Sequence, residues 1–315
     1  MPTHAFIRFL GEKVAAIERN RRYPIRNQVF RLAPLPSADH ERQLVILCEP
    51  RNFSDASWSA WSWHRHLYEH LHLHVFVDGA PPPLQVPAFR RLFPGATLDS
   101  APEYLARHFR PSPGFARFLH RHPFARKLAL LVTLQTQGDF LYSDADLLAF
   151  RRPDEILYAL MDPRCPGLFM EEPCESCEVD PWVAQIAERL GLPRNNHLNS
   201  GLLFVRRGSF DLGVLERILA DWRPEFSHRA AEQTIISVLM ALNSAHALPD
   251  DQYVVSEEGR YFWQRDGIDY REIVARHFVG HVRHLLYKTG LQQLQAVAKN
   301  VETPLLLDRV ALSAH

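Results

Sequence analysis

Gly138-Asp139-Phe140-Leu141-Tyr142-Ser143-Asp144-Ala145-Asp146 is the stretch on which the reading of this chain turns. Phe140 to Ser143 is a short apolar run bounded by turn-forming residues, as expected of a buried strand, and it delivers two carboxylates one residue apart into a loop. Hard oxygen ligands at this spacing suit Mg²⁺ or Mn²⁺, which are held by one or two carboxylates and share their remaining coordination with phosphate oxygens. Asp144, Ala145 and Asp146 are therefore the first candidates for contact with a phosphate-bearing ligand. A local reading stands beside this one, in which Asp146 only caps the following turn.

Working outward, the segment before this strand predicts helices over Phe115 to His122 and Phe124 to Gln137, the second amphipathic. Upstream, Leu44 to Cys48 reads as a strand, Ala56 to His72 as a helix and His74 to Val77 as a second strand. That is the strand, helix, strand succession of a parallel crossover. The proline-rich stretch from Pro81 to Pro113 supports no assigned element, although its Phe and Arg content argues for order. Downstream, helices are expected after Arg152-Pro153-Asp154, over Asp180 to Leu190, Phe210 to Trp222, Ala230 to Ala241 and about Leu285 to Lys299. Strands are expected at Gly167 to Met170, Gly201 to Val205 and Arg276 to Val279.

Alternating strands and helices imply an α/β class with a doubly wound, mostly parallel sheet, whose ligands bind beyond the carboxyl ends of the strands. Asp144 sits at such an end. The expected organisation is an N-terminal helical extension over 1–42, with its helix from Ala5 to Asn20, one domain over 43–284, and a C-terminal helix and tail over 285–315.

The 36 basic residues balance 36 acidic ones, so nothing in the charge points to nucleic acid or an anionic membrane. No run approaches the roughly 20 apolar residues of a membrane span. Met1 to Asn20 lacks the apolar core and cleavage site of a signal peptide, and the expected location is cytoplasmic. Cys48, Cys165, Cys174 and Cys177 are too few and too unevenly spread for a secreted disulfide framework.

Two carboxylates need a further ligand, and the best candidate is distant: Arg276-His277-Phe278-Val279-Gly280-His281-Val282-Arg283. His277, at a strand end, could complete a metal shell. Gly280 would let backbone N–H groups approach a diphosphate, and Arg283 would neutralise its charge. Those are the requirements of a nucleotide diphosphate site.

His277-Phe278-x-Gly280-x-x-Arg283 resembles the His-Phe-x-Gly-x-x-Lys segment of family 8 glycosyltransferases, the glycogenin and lipopolysaccharide galactosyltransferase group. Arg283 stands where that family has Lys, and His284-Leu285 where it has Pro-Trp. Lys127 resembles the basic residue these enzymes direct at the donor. Asn199-Ser200-Gly201 resembles their Asn-Ser/Ala-Gly strand, and Glu232-Gln233 their Asp-Gln pair. The spacing of the last two also resembles the family 77 type. The resemblance, over about 40 to 290, implies a single-domain GT-A (Rossmann-like) fold binding a nucleotide sugar, with UDP preferred, through Mn²⁺ or Mg²⁺ held by Asp144, Asp146 and His277.

It further implies transfer to an unidentified saccharide, lipid or protein hydroxyl with retention of configuration, Asn199 or Gln233 lying near the reacting sugar. Glu232 as general base of an inverting displacement is the open alternative. A catalytically idle nucleotide- or carbohydrate-binding protein is a second, and a sugar-phosphate nucleotidyltransferase a third, although Cys48-Glu49-Pro50-Arg51-Asn52 is not the glycine-rich loop of that class.

Each motif has a plainer reading. Lys127 could be a surface charge, Asn199-Ser200-Gly201 a turn, Gln233 an ordinary helix residue and His277 a core histidine. Cys174-Glu175-Ser176-Cys177 has zinc-like spacing but no second Cys-x-x-Cys. His66 and His70 are spaced as a metal pair without accompanying carboxylates, so a partly packed helix is expected there. Trp58, Trp61 and Trp63 are core or a sugar-stacking platform. Glu171 and Glu172 follow a strand toward an acceptor cleft.

Overall fold

The computed structural model describes residues 4–35, 40–173, 178–256, 258 and 266–298. Helix α1 spans His4–Arg21, and a single turn α2, Tyr23–Arg26, follows it. The sheet region opens with β1 (Gln43–Cys48), α3 (Phe53–Leu67) and β2 (His72–Val77). The proline-rich stretch contains α4 (Val86–Leu92), β3 (Thr97–Ser100) and α5 (Ala101–His108), and α6 (Pro113–Arg121) and α7 (Ala125–Leu134) lead into β4 (Phe140–Asp144). Then come β5 (Leu147–Ala149), α8 (Asp154–Met161), β6 (Gly167–Glu171), α9 (Pro181–Arg189), β7 (Leu198–Val205), α10 (Leu212–Asp221) and α11 (Ala231–Leu242). Three short strands, β8 (His246–Ala247), β9 (Tyr253–Val254) and β10 (Ala275–His277), precede α12 (Arg283–Leu285).

The main sheet has seven strands in the order β3-β2-β1-β4-β7-β6-β8. Only β7 runs against its neighbours, so the expected α/β class with a mostly parallel sheet is the one this chain adopts. Alternation along each strand sorts the core into two layers. Leu44 and Ile46 of β1, Leu141 of β4, and Leu202 and Phe204 of β7 face one layer, which α3 covers with Trp58, Trp61 and Trp63. Val45, Phe140, Tyr142, Leu203 and Val205 face the other, covered by α6, α7, α10 and α11. Burial on both faces explains why these strands read as continuous apolar runs rather than alternating ones. The three tryptophans are core: Trp58 and Trp63 are fully buried, each worth roughly 2–3 kcal/mol of burial.

Three pieces differ from the sequence reading. Helix α3 stops at Leu67, so His66 and His70 do not share a helix face. The stretch between Pro81 and Pro113 holds two helices and a strand that composition hides, because prolines occupy the first turns of α4 and α5, where no N–H is needed. Beyond Val282 the chain passes through a short α-turn and a π-helical turn, Leu286–Gly290, before returning to α-helix through 298. No described helix is long and apolar enough to cross a membrane.

A second, three-stranded sheet, β5-β10-β9, matters most for position. Strand β5 begins one residue after Asp146 and pairs antiparallel with β10, placing His277 opposite Leu147. The N–H of Phe278 then donates to the carbonyl of Asp146 at 3.0 Å. Helix α1 packs against 280–285 and so braces the segment that follows β10.

Candidate functional site

The Asp144-Ala145-Asp146 turn joins β4 to β5 at the carboxyl edge of the main sheet, and α3 fixes its backbone. The hydroxyl of Ser59 donates to the carbonyl of Leu147 at 2.7 Å, and the Ser62 hydroxyl accepts from the N–H of Ala149 at 3.0 Å. Buried hydroxyls on a helix that faces the loop rather than solvent give the turn one conformation. Sequence reading missed these serines; the signal was their recurrence among the tryptophans of one helix.

Strand pairing brings Asp144, Asp146 and His277 together, with one ligand atom from each lying within 4.8 Å of the other two. His277 Nε2 is 3.2 Å from Asp146 Oδ1 and 3.6 Å from Asp144 Oδ2. Its other nitrogen, Nδ1, lies 2.8 Å from Asn199 Oδ1, which also accepts the N–H of Gly201 at 2.9 Å. The Asn199 amide nitrogen donates to Glu172. With the amide turned that way, Nδ1 donates its hydrogen to Asn199 and Nε2 faces both carboxylates. An imidazole held by its far nitrogen, facing two hard anionic oxygens, is a donor set that fits a divalent cation.

Gly201 makes the arrangement sterically possible. A Cβ there would collide with the His277 ring and sit 2.8 Å from Asn199 Oδ1. Gly280 adopts φ +43°, a backbone conformation that favours glycine, with nothing within 4 Å of where a Cβ would sit.

Arg283 pairs directly with Asp146, its Nε 2.9 Å from Oδ2 and its Nη2 closer still. Burial pushes the Asp146 carboxyl up, but Arg283 and His277 outweigh it and hold that carboxyl far below the usual carboxylate range. Asp146 is thus ionised and charge-balanced by protein alone.

Lys127 lies beside this cluster, nearly buried, rather than on a solvated helix face. Its ammonium donates to Ser200 Oγ at 3.0 Å, lies 3.3 Å from Asp144 Oδ1 and 3.6 Å from Glu232 Oε1. Burial disfavours its charge, yet Asp144 and Glu232 more than compensate and raise its pKa. Glu232 is 4% exposed, and burial raises its carboxyl pKa, only partly offset by Lys127. The Gln233 carbonyl accepts the N–H of Ser200 at 3.2 Å. One further group went unread in the sequence: the Tyr142 hydroxyl donates to Asp144 Oδ1 at 2.5 Å. Glu172, read as following a strand toward an acceptor cleft, lies just past β6 and lines the same cleft, and burial raises its pKa.

All the sequence-derived candidates, Lys127, Asp144, Ala145, Asp146, Asn199, Glu232, Gln233, His277, Gly280 and Arg283, line one cleft of about 720 Å³. Cys48 also lines it, but burial pushes its thiol well above the ordinary range. Cys174 and Cys177 lie outside the described residues. His66 is partly buried with its Nε2 unpartnered, and burial together with Arg65 and Arg152 lowers its pKa to about 3.

No protein-family model matches the chain, and no curated protein matches it. Solved structures similar to it include the apo form of WbbM, a bifunctional glycosyltransferase: 11% identity, TM-score 0.46, over 81% of this chain and 51% of that one. The chain thus spans about half of WbbM. The galactosyltransferase LgtC, in complex with donor and acceptor sugar analogues, is 13% identical at TM-score 0.45, over 75% of this chain and 87% of its own. Mouse xyloside xylosyltransferase 1 is 12% identical at TM-score 0.47, over 78% of this chain and 98% of its own.

Proposed function

We propose that the chain is a metal-dependent glycosyltransferase of GT-A architecture that moves a sugar from a nucleotide diphosphate, with UDP as the preferred nucleotide, to an acceptor hydroxyl. The observation that carries this reading is the convergence of Asp144, Asp146 and His277 at the carboxyl edge of a mostly parallel sheet, with Nε2 of His277 aimed at both carboxylates. The domain over 43–284 supplies all three proposed metal ligands.

In this reading Asp144, Asp146 and His277 would hold Mn²⁺ or Mg²⁺, which when bound would supply positive charge to a departing diphosphate. Gly280, on the cleft wall, would let a backbone N–H approach the phosphates, and Arg283 would exchange its pairing with Asp146 for one with a phosphate oxygen. Lys127 sets the charge balance of Asp144 and reaches toward the donor. Asn199 fixes the tautomer and tilt of His277, which makes it a positioning residue in addition to its place near the sugar. Tyr142 holds one oxygen of Asp144 and so orients the other. Glu232, pinned between Lys127 and Ser200, is better placed to hold Lys127 than to strip a proton from an acceptor, which favours retention over inversion. Glu172, whose pKa burial raises, offers the acceptor side a hydrogen-bonding group.

Calorimetry with UDP and Mn²⁺, followed by hydrolysis and transfer assays over a panel of nucleotide sugars, tests the proposal. Metal-dependent UDP binding with turnover of at least one donor is the expected result. Binding without turnover across the panel would favour a catalytically idle nucleotide-binding protein, and absence of nucleotide binding would remove the reading altogether.

A further inference from the structure

The cleft has a wall that the sheet domain does not supply. Glu12, Ala15, Ala16 and Arg19 of helix α1 line it, at positions i, i+3, i+4 and i+7, a single helical stripe. The small side chains of Ala15 and Ala16 let α1 lie close against 280–285, the segment that carries Gly280 and Arg283. Arg19 sits toward the end of that stripe, in the last turn of the helix.

Among the lysines and arginines that line the cleft, Arg19 differs in its pairing. Every other one is tied to a carboxylate, Lys127 to Asp144 and Arg283 to Asp146 among them. Arg19 makes no hydrogen bond or ion pair among the described residues, although it is only partly exposed. A guanidinium with five donors, held on a braced helix facing a cleft and with no acceptor among the described residues, is set up for an anion brought from outside. A nucleoside diphosphate brings such charge, and Arg19 can meet it without first breaking an internal pair, unlike Arg283.

We propose that α1 is a built-in wall of the donor cleft and that Arg19 binds a phosphate of the nucleotide diphosphate. This rests on the donor-site reading above. It makes the N-terminal segment part of the binding site rather than an appendage to it.

The test is calorimetry on the full chain with UDP plus Mn²⁺ and, separately, with uridine, for the wild type, Arg19→Gln and Arg19→Lys. Arg19→Gln is expected to weaken UDP by about five- to twentyfold, leave uridine affinity and melting temperature unchanged, and be largely rescued in Arg19→Lys. UDP affinity within twofold of wild type in Arg19→Gln, or equal losses for UDP and uridine, would overturn the assignment of Arg19. Failure of the wild type to bind UDP, or any other nucleoside diphosphate, with Mn²⁺ would instead remove the donor site itself, and this proposal with it.

Discussion

His277 Nε2 lies 3.2 Å from Asp146 Oδ1, although 131 positions separate the two residues in the chain. Backbone pairing, more than attraction between the side chains, enforces this meeting. The antiparallel register of β5 and β10 sets His277 opposite Leu147, and the Phe278 N–H is bonded to the Asp146 carbonyl. The fold itself therefore gathers the three side chains, which would reduce the ordering cost of binding a cation between them.

Gly201→Ala attacks this geometry without touching a ligand. The added methyl group has no room beside the His277 ring. The ring must move, at a cost of about 1–3 kcal/mol in stability, and Mn²⁺ affinity should fall by about tenfold or more. Thermal melting and a Mn²⁺ titration followed by electron paramagnetic resonance measure both. A variant with wild-type metal affinity would show that the ring position does not matter.

Asn199→Ala removes the acceptor that keeps the hydrogen on His277 Nδ1. It also removes the Asn199 amide that donates to Glu172. Metal affinity should drop about 10- to 100-fold, with the lost tautomer visible as a changed imidazole nitrogen signature in NMR spectra of ¹⁵N-histidine-labelled protein. Unchanged nitrogen shifts would argue against the tautomer assignment.

Lys127 and Glu232 form a buried pair whose members cannot be removed independently. Lys127→Met leaves buried Glu232 without its cation and facing Asp144, so a loss of about 3–5 kcal/mol in urea unfolding is expected. Adding Glu232→Gln should recover a large part of that loss. Strictly additive losses would mean the two residues do not compensate each other.

The sheet and most of the site were readable because their cause is local. Phe140 to Tyr142 is apolar, being buried on both faces, and the carboxylates Asp144 and Asp146 fall where the strand ends. What escaped reading depends on contacts across long separations. Strand β5 has three residues and forms only because β10 pairs with it, and Ser59, Ser62 and Tyr142 act on the aspartate turn from distant or ambiguous positions. The pairing of Arg283 with Asp146 was invisible for the same reason: the sequence offered a cation for phosphate, and the fold also hands it a carboxylate. Proline obscured α4 and α5 because composition does not distinguish a helix start from a loop.

His66 gives the chain an acid sensitivity. In the folded protein it stays neutral down to about pH 3, whereas the unfolded chain takes up the proton below its ordinary value of 6.5. Between those limits the unfolded state holds more protons, so stability falls as pH falls. Going from pH 6.5 to pH 5 should cost about 1–2 kcal/mol through this residue, and His66→Gln should flatten that part of the profile in urea melts. An identical slope in both proteins would show that His66 protonates equally in the two states.

Binding of Mn²⁺ in the presence of UDP, compared between the wild type and Asp146→Asn, is the most direct test of the proposed metal-nucleotide site. Asp146→Asn keeps the size of the side chain and removes its charge, so circular dichroism should be unaltered. The expected result is micromolar-range binding in the wild type, weakened by about 100-fold in the variant, or roughly 3 kcal/mol. Equal Mn²⁺ and UDP affinities in the two proteins would contradict a cation held between Asp144, Asp146 and His277.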